Sequence, residues 1–231
     1  MQTIPIYIGW DEREAAAYHV CCQSILQHAT VPVAFVPLSL RSLRGYTETH
    51  SDGSNAFIYS RFLVPWLMNF QGHALFLDGD MLVRDDIAKL WDLRRYDRGV
   101  QVVQHDYKTR HPVKYLQNKN EDYPRKNWSS VVLFNCGYFP NRKLTPEFVA
   151  QSDGAYLHRF SWLRDSQIGA LPAEWNHLCM EYDERPDAKL LHYTVGIPGF
   201  PEYADQEGGH EWQRAFRAAQ APVGGPISTA G

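Results

Sequence analysis

The chain opens on a short apolar run, Ile4–Gly9. It is followed by DEREAAAYHVCCQSILQH, whose apolar residues recur at helical spacing, and by a second short apolar run, Val31–Pro37. This strand–helix–strand opening predicts a parallel α/β sheet, because parallel neighbours need a crossover long enough to hold a helix. Ser39–Asn55 is polar and glycine-containing and reads as a loop. Ala56–Phe70 has a helical pattern that Pro65 should bend or restart. Ala74–Leu77 reads as a strand that ends at Asp78-Gly79-Asp80. Asp85–Leu93 reads as a capped helix and Gly99–Gln104 as another strand. Lys108–Lys126 is charged, contains Pro112 and Pro124 and has no clear period, which predicts an irregular excursion near a site. Ser130–Phe139 reads as a strand, Ala155–Leu171 as a helix and Lys189–Tyr193 as a late short strand. APVGGPISTAG, from Ala221, has tail composition. The expected organisation is one domain over residues 1–220 and a flexible tail over 221–231, without an internal repeat.

Composition removes several function classes. With 231 residues, 44% apolar and 21% charged, the chain is long enough and apolar enough for an ordinary globular core. A formal net charge of −3 without a basic run argues against a nucleic-acid partner. No window approaches the roughly 18 uninterrupted apolar residues of a membrane span, so only peripheral membrane association stays open. MQTIPIYIG enters a strand at once and carries no cleavable signal. Cys21, Cys22, Cys136 and Cys179 fit neither a zinc pattern nor a disulfide framework. They read as reduced core residues, which suits the cytoplasm.

The candidate chemistry lies in ALFLDGDMLV. In open α/β sheets, ligands bind beyond the carboxyl ends of strands. Two carboxylates with one residue between them can point to the same side there and grip one hard cation, which would neutralise a diphosphate. The bland alternative is a solvated turn, with Asp85-Asp86 capping the next helix. A rival enzyme class, the haloacid-dehalogenase-type phosphatases, also places Asp-x-Asp after an apolar strand and uses the first Asp as nucleophile. That motif belongs on a first strand and has Thr or Val after it, whereas here Met81 follows and about 80 residues precede.

Six segments in order resemble glycosyltransferase family 8, a family of retaining enzymes. They are IYIGWDEREAAAYHVCCQSIL, IYSRFLVPWLM, LFLDGDMLVRDDIAKLWDL, VLFNCGYFPN, SWLRDSQIGALPAEWN and KLLHYTVGIPGF, together spanning about residues 4–200. The resemblance implies a GT-A fold, with a Rossmann-like, mostly parallel sheet flanked by helices. It implies a hexose moved from a nucleotide-sugar, a UDP-sugar, to a glycan or other hydroxyl acceptor, with cell-surface glycans and lipopolysaccharide among the candidates. Asp78, Asp80 and His192 match the family's metal ligands. Two carboxylates and an imidazole suit Mn²⁺ better than Mg²⁺. Ile8, Gly9 and Asp11 match the region that holds uracil and ribose, and Arg61, Gly79 and Gly196 complete the donor-binding set. Asn135, Asp165 and Gln167 match residues beside the donor sugar and form the candidate catalytic group, although Ser166 stands where the family's Gln is usual.

Other roles compete at several of these positions. Asp11 and Glu14 also form a capping box for the first helix. Arg61 could be a snorkelling surface arginine, Asp165 a plain surface carboxylate, and His192 a hydrogen-bonded structural residue. A buried Asn135 needs partners, either a structural bridge or a ligand. The family commonly has Gly-x-x-Lys-Pro-Trp after the His, and that lysine binds the diphosphate. HYTVGIPGFPEY has none. Lys108, Arg110, Lys114, Lys119, Arg125 and Lys126 are candidate substitutes, unless metal and backbone hold the diphosphate instead, and a nucleotide-sugar-binding protein without turnover is the alternative function.

Overall fold

Five of the six residues of β1 (Ile4–Gly9) are buried. Ile4, Ile6 and Ile8 join Cys21 and Ile25 of α1 (Ala15–His28) in one cluster, while Tyr7 joins Phe57 and Phe62 in another. The same alternation runs through β3 (His73–Leu77) and β6 (Val131–Asn135). Leu75, Leu77, Val131 and Leu133 belong to the first cluster, and Ala74, Phe76, Val132 and Phe134 to the second. Strands covered on both faces have no place for exposed polar side chains, which is why they read as continuous apolar runs. The computed structural model describes residues 3–51, 55–115 and 118–220.

With β2 (Val33–Leu38), β5 (Val100–Val102) and β7 (Ile168–Ala170), these strands form a six-stranded sheet in the order β2-β1-β3-β6-β5-β7. Only β6 runs against the others. Pro37, which has no N–H to give a ladder, sits in edge strand β2. A second sheet, in the order β4-β9-β8, joins β4 (Met81–Val83), β8 (His177–Leu178) and β9 (Leu190–His192). A third cluster, with Val20, Leu82, Leu191 and Trp212, packs α1 and the second sheet against α6 (Gly209–Ala219). The architecture is mixed α/β with a mostly parallel central sheet, as expected.

Local departures have physical causes. The helix expected over 56–70 is only a 3-10 turn, Ser60–Leu63, and one α-turn, α2 (Val64–Leu67), with Pro65 in its first turn. The helix expected over 155–171 stops early. It begins in α5 (Gly154–His158), Phe160 takes a left-handed backbone with φ 56°, and Ile168–Ala170 pairs along β5 instead. Ile168 and Leu171 read as helix neighbours in one dimension, but the open edge of β5 recruits them as strand. The strand over 130–139 ends at Asn135, where the Asn141 side chain caps the carbonyls of Asn135 and Gly99. Strands β4 and β8 and helix α6 have no counterpart among the expected elements. The Asp85–Leu93 helix is α3 (Ile87–Trp91), capped by Asp86. Cys21, Cys136 and Cys179 are buried free thiols, and Cys22 is a half-buried one. The tail over 221–231 lies outside the described residues. No helix among the described residues is long and apolar enough to cross a membrane.

Where β1 and β3 end side by side, a Cβ on Gly79 would lie 2.6 Å from the Gly9 carbonyl oxygen. Backbone cannot swing away as a side-chain tip can, so this close approach needs glycine. Gly79→Ala should therefore lower unfolding free energy by about 1–3 kcal/mol, measured from urea transitions. An unchanged midpoint would mean that the strand ends can part freely.

Candidate active site

Strand pairing brings the acidic motif and the histidine together. The Asp78 N–H extends the β3–β6 ladder by donating to the Ser130 carbonyl at 2.9 Å. The chain then turns at Gly79, and β4 starts at Met81, directly opposite His192 of β9. Tyr193 N–H donates to the Asp80 carbonyl at 3.0 Å and locks that register. As a result His192 Nε2 lies 3.3 Å from Asp80 Oδ1 and 3.8 Å from Asp78 Oδ2. Ligating atoms of the three residues all lie within 4.8 Å of one another. Among the described residues no other group of three His, Cys, Asp or Glu side chains is placed to hold a metal ion.

The hydrogen bonds behind His192 set its tautomer. Asn176, fully buried, donates from Nδ2 to Ser130 Oγ at 2.8 Å, so its Oδ1 faces His192 Nδ1 at 3.1 Å. An amide oxygen only accepts, so Nδ1 carries a proton and Nε2 is the ring nitrogen turned toward the two carboxylates. Asp80 Oδ1, buried, accepts no hydrogen bond. Lone pairs facing one another in a dry site repel unless a proton or a cation lies between them. The donor set, one imidazole nitrogen and two carboxylate oxygens, thus fits a divalent ion.

Arg61 is not a surface residue. It is 4% exposed, with its guanidinium 2.7 Å from Asp78 Oδ1, bonded to the carbonyls of Ile58 and Ser129, and packed over the Phe57 and Phe76 rings. Burial pushes the Asp78 carboxyl up to about 6, against the pull of Arg61. At Asp80 burial also acts upward, but His192 and Lys114 outweigh it and the carboxyl stays below its usual range.

The irregular excursion lies over this cluster. Lys114 and Tyr115 line a cavity of about 70 Å³ together with Arg61, Asp78, Asp80 and His192. Tyr115 N–H donates to the Val195 carbonyl at 2.8 Å, and its hydroxyl donates to Glu14 at 2.6 Å. Lys114 Nζ donates to Thr194 Oγ1 at 3.1 Å. The base of the excursion is held by a buried polar network. Glu181 accepts from Arg110 N–H and from Asn120 Nδ2, and Lys126 Nζ bonds Asn120 Oδ1 and Thr109 Oγ1. A fully paired network of this kind fixes a segment that has no regular ladder of its own.

The other expected site residues divide into two groups. Near the cluster, Gly9 ends β1 against Gly79, and a Cβ there would strike the Phe57 ring. Asp11 caps the 3-10 turn that leads into α1 and also accepts from Ala56 N–H at 3.0 Å, so it ties the strand end to the chain before Arg61. Ile8 has no exposed side chain. Gly196 leaves no room for a Cβ beside the Tyr203 ring.

The expected catalytic group is not brought to the cavity. Antiparallel pairing sets Asn135 opposite His73, at the other end of β3 from Asp78, where its amide donates to the Tyr96 carbonyl. Gln167 precedes Ile168, which β5 aligns with the Asn135 end of the sheet, and its amide bonds Tyr138 and Arg164. Asp165 is an 87% exposed side chain paired with Arg125 at 2.6 Å, and it does not line the cavity. The motif match had taken the far end of β6 for its near end. Ser129 and Ser130, just before β6, are the residues that reach the cavity instead.

A wider groove of about 1050 Å³ lies beside β4, but Arg84 there is already bonded to Glu211 at 2.8 Å, so its charges are satisfied internally.

The sequence profile "Glycosyl transferase family 8" matches residues 11–141. This chain belongs to that family. It is a glycosyltransferase. Among its relatives, Protein CDI of Arabidopsis thaliana is 41% identical over 216 residues, covering 90% of this chain and 83% of that protein. Among solved structures, the galactosyltransferase LgtC, in complex with donor and acceptor sugar analogues, is 14% identical. Its TM-score is 0.60, covering 95% of this chain and 97% of LgtC. The bifunctional glycosyltransferase WbbM superimposes with TM-score 0.62 at 14% identity over 92% of this chain, which spans 51% of the WbbM chain. GlyE of Streptococcus pneumoniae TIGR4 gives TM-score 0.60 at 12% identity, over 93% of this chain and 61% of GlyE. These likenesses show the GT-A fold. Family membership sets aside the phosphatase reading of Asp78.

Two outcomes follow for metal binding. Asn176→Leu removes the acceptor that fixes His192, and Mn²⁺ affinity should fall about 10–100-fold by calorimetry while the fold persists. Equal affinity would show that Asn176 does not orient the imidazole. The raised Asp78 value means that the folded site retains a proton below about pH 6, which a metal must displace. Mn²⁺ affinity should therefore be flat above about pH 7 and fall by up to about tenfold per unit below about pH 6. Affinity independent of pH down to about pH 5 would contradict that value.

Proposed function

We propose that this glycosyltransferase moves a hexose from a UDP-sugar to a hydroxyl acceptor in a metal-dependent reaction, with retention at the anomeric carbon. The observation that supports the metal dependence is the convergence of Asp78, Asp80 and Nε2 of His192 in one cluster. Asp78, Asp80 and His192 would hold Mn²⁺ or Mg²⁺, and a bound ion supplies Lewis-acid stabilisation of charge on a departing diphosphate. Arg61 holds Asp78 from behind and keeps one carboxylate oxygen turned toward the cluster. Asn176 holds His192 in the tautomer that can ligate. Gly9, Asp11 and the backbone at Ile8 lie at the strand end next to Gly79, which suits a nucleoside beside the metal. The scissile bond joins the anomeric carbon to the diphosphate, and an acceptor hydroxyl takes the place of the phosphate oxygen.

UDP-sugar as donor rests on the family resemblance and is supported by LgtC, whose structure holds donor and acceptor sugar analogues. A glycan or lipopolysaccharide is the acceptor class proposed.

The test is release of UDP from UDP-hexoses in the presence of Mn²⁺ or EDTA, accelerated when the matching acceptor is supplied. Asp80→Ala should abolish the Mn²⁺-dependent part of UDP binding, because the two remaining ligands would hold the ion too weakly. Its unfolding midpoint should stay close to wild type, since Asp80 Oδ1 is left without a hydrogen-bond donor in the fold. Equal UDP affinity with EDTA and with Mn²⁺ would sink the metal dependence. Tight UDP-sugar binding with no release under any acceptor would favour a binding protein without turnover.

A further inference from the structure

We propose that Lys114 is the residue that binds the anionic diphosphate of the donor beside the metal cluster. The inference rests on the donor reading above.

Each other cation near the cluster is already engaged. Arg61 is taken by Asp78 and by two backbone carbonyls. Lys126 is bonded to Asn120 and Thr109 within the network that anchors the excursion. Lys114 lines the cavity, and its ammonium donates only to the Thr194 hydroxyl, with no described carboxylate paired to it. An ammonium has three protons to donate, so two stay available on the cavity side. Its backbone is fixed on both flanks. Lys114 N–H donates to the Asn118 carbonyl, and Tyr115 N–H donates to the Val195 carbonyl. Those bonds turn the Lys114 side chain inward while its neighbour Val113 stays 47% exposed.

Charge balance indicates the class of ligand. Asp78 and Asp80 are offset by Arg61 and Lys114, and Lys114 acts electrostatically on both carboxylates without touching them. A divalent ion at the cluster leaves the cavity with surplus positive charge. The diphosphate of a nucleotide-sugar, with one charge on each phosphate, matches that surplus. A compact ammonium on a flexible stem can leave Thr194 and follow a phosphate oxygen, as lysines in phosphate sites do.

The test is calorimetry with Mn²⁺ present, in which UDP and UMP are titrated separately into wild type, Lys114→Met and Lys114→Arg. Lys114→Met should weaken UDP by about tenfold or more and UMP by less than about threefold, since UMP lacks the second phosphate. Lys114→Arg should recover most of the UDP affinity. Mn²⁺ alone should bind Lys114→Met at least as well as wild type, because a like-charged neighbour is gone. Unchanged UDP affinity in Lys114→Met overturns the proposal and leaves the donor reading standing. Parallel loss of Mn²⁺, UMP and UDP affinity also overturns it, by making Lys114 a structural prop. If wild type itself fails to bind UDP with Mn²⁺, the donor reading falls and this inference falls with it.

Discussion

Two carboxylates one residue apart, Asp78 and Asp80, stand at the end of a strand whose own residues are all buried. Removing two like charges from water at so short a separation is costly, and the surrounding structure answers that cost on three sides. Arg61 reaches in from the turn before α2 and pairs with one oxygen of Asp78. Lys114 arrives from the excursion above and offsets the carboxylate charge without contact. The imidazole of His192 arrives from β9, oriented by Asn176. Three segments distant in sequence are held together for one purpose, and none of them makes sense alone. A buried arginine without Asp78 would be an uncompensated charge, and a buried imidazole without Asn176 and Asp80 would lack partners.

The two sheets divide this labour. The six-stranded sheet fixes where Asp78 emerges, because β3 is covered on both faces and pinned by β1 and β6. The small sheet fixes how Asp80 meets His192, because Met81 and His192 are register partners. Gly79 is the joint between them, and it must be glycine because β1 ends against it. Asp78 and Asp80 flank that joint between two paired strands and His192 lies on β9, so strand pairing holds all three in place. The cover is built differently. It has almost no ladder of its own and is held at its base by Glu181, Asn120 and Lys126, side chains that satisfy one another.

What the sequence makes legible follows from how local the signal is. The apolar runs of β1, β3 and β6, the α1 helix and the acidic motif are all visible, because burial on both faces and a strand-end Asp-x-Asp are properties of adjacent residues. Asn135 was misplaced because a Phe-Asn-x-Gly pattern says nothing about which end of a strand faces the ligand. Only the pairing of His73 with Asn135 and of Leu77 with Val131 decides that. The 155–171 helix failed for a similar reason, since pairing of Ile168 with Val100 is a long-range event that overrides local periodicity. Asn176 sits in a segment that matches the family, but its role depends on Ser130 and His192, which are far away in sequence. Lys114 was one cation among six in an aperiodic stretch. Nothing in that stretch distinguishes it, and it is singled out only by the Val195 and Asn118 backbone contacts that aim it inward.

The size of the cavity adds a constraint on how such a site could work. About 70 Å³ is room for a few waters or a hydrated ion, whereas pockets for small organic ligands run to about 300–1000 Å³. A whole nucleotide-sugar is therefore larger than the cavity between Lys114, Tyr115 and the acidic cluster. Those two residues are held by the Tyr115 hydroxyl on Glu14, the stack of its ring on Phe200, the Lys114 ammonium on Thr194 and the backbone bonds on either side. The Tyr115 bond is also the weakest point electrically. Burial and nearby Asp80 push its acceptor, Glu14, up to about 7. An acceptor so close to neutral gives up much of the strength of a charged hydrogen bond. A donor that carries its own negative charge would replace the Thr194 contact of Lys114 with a stronger one.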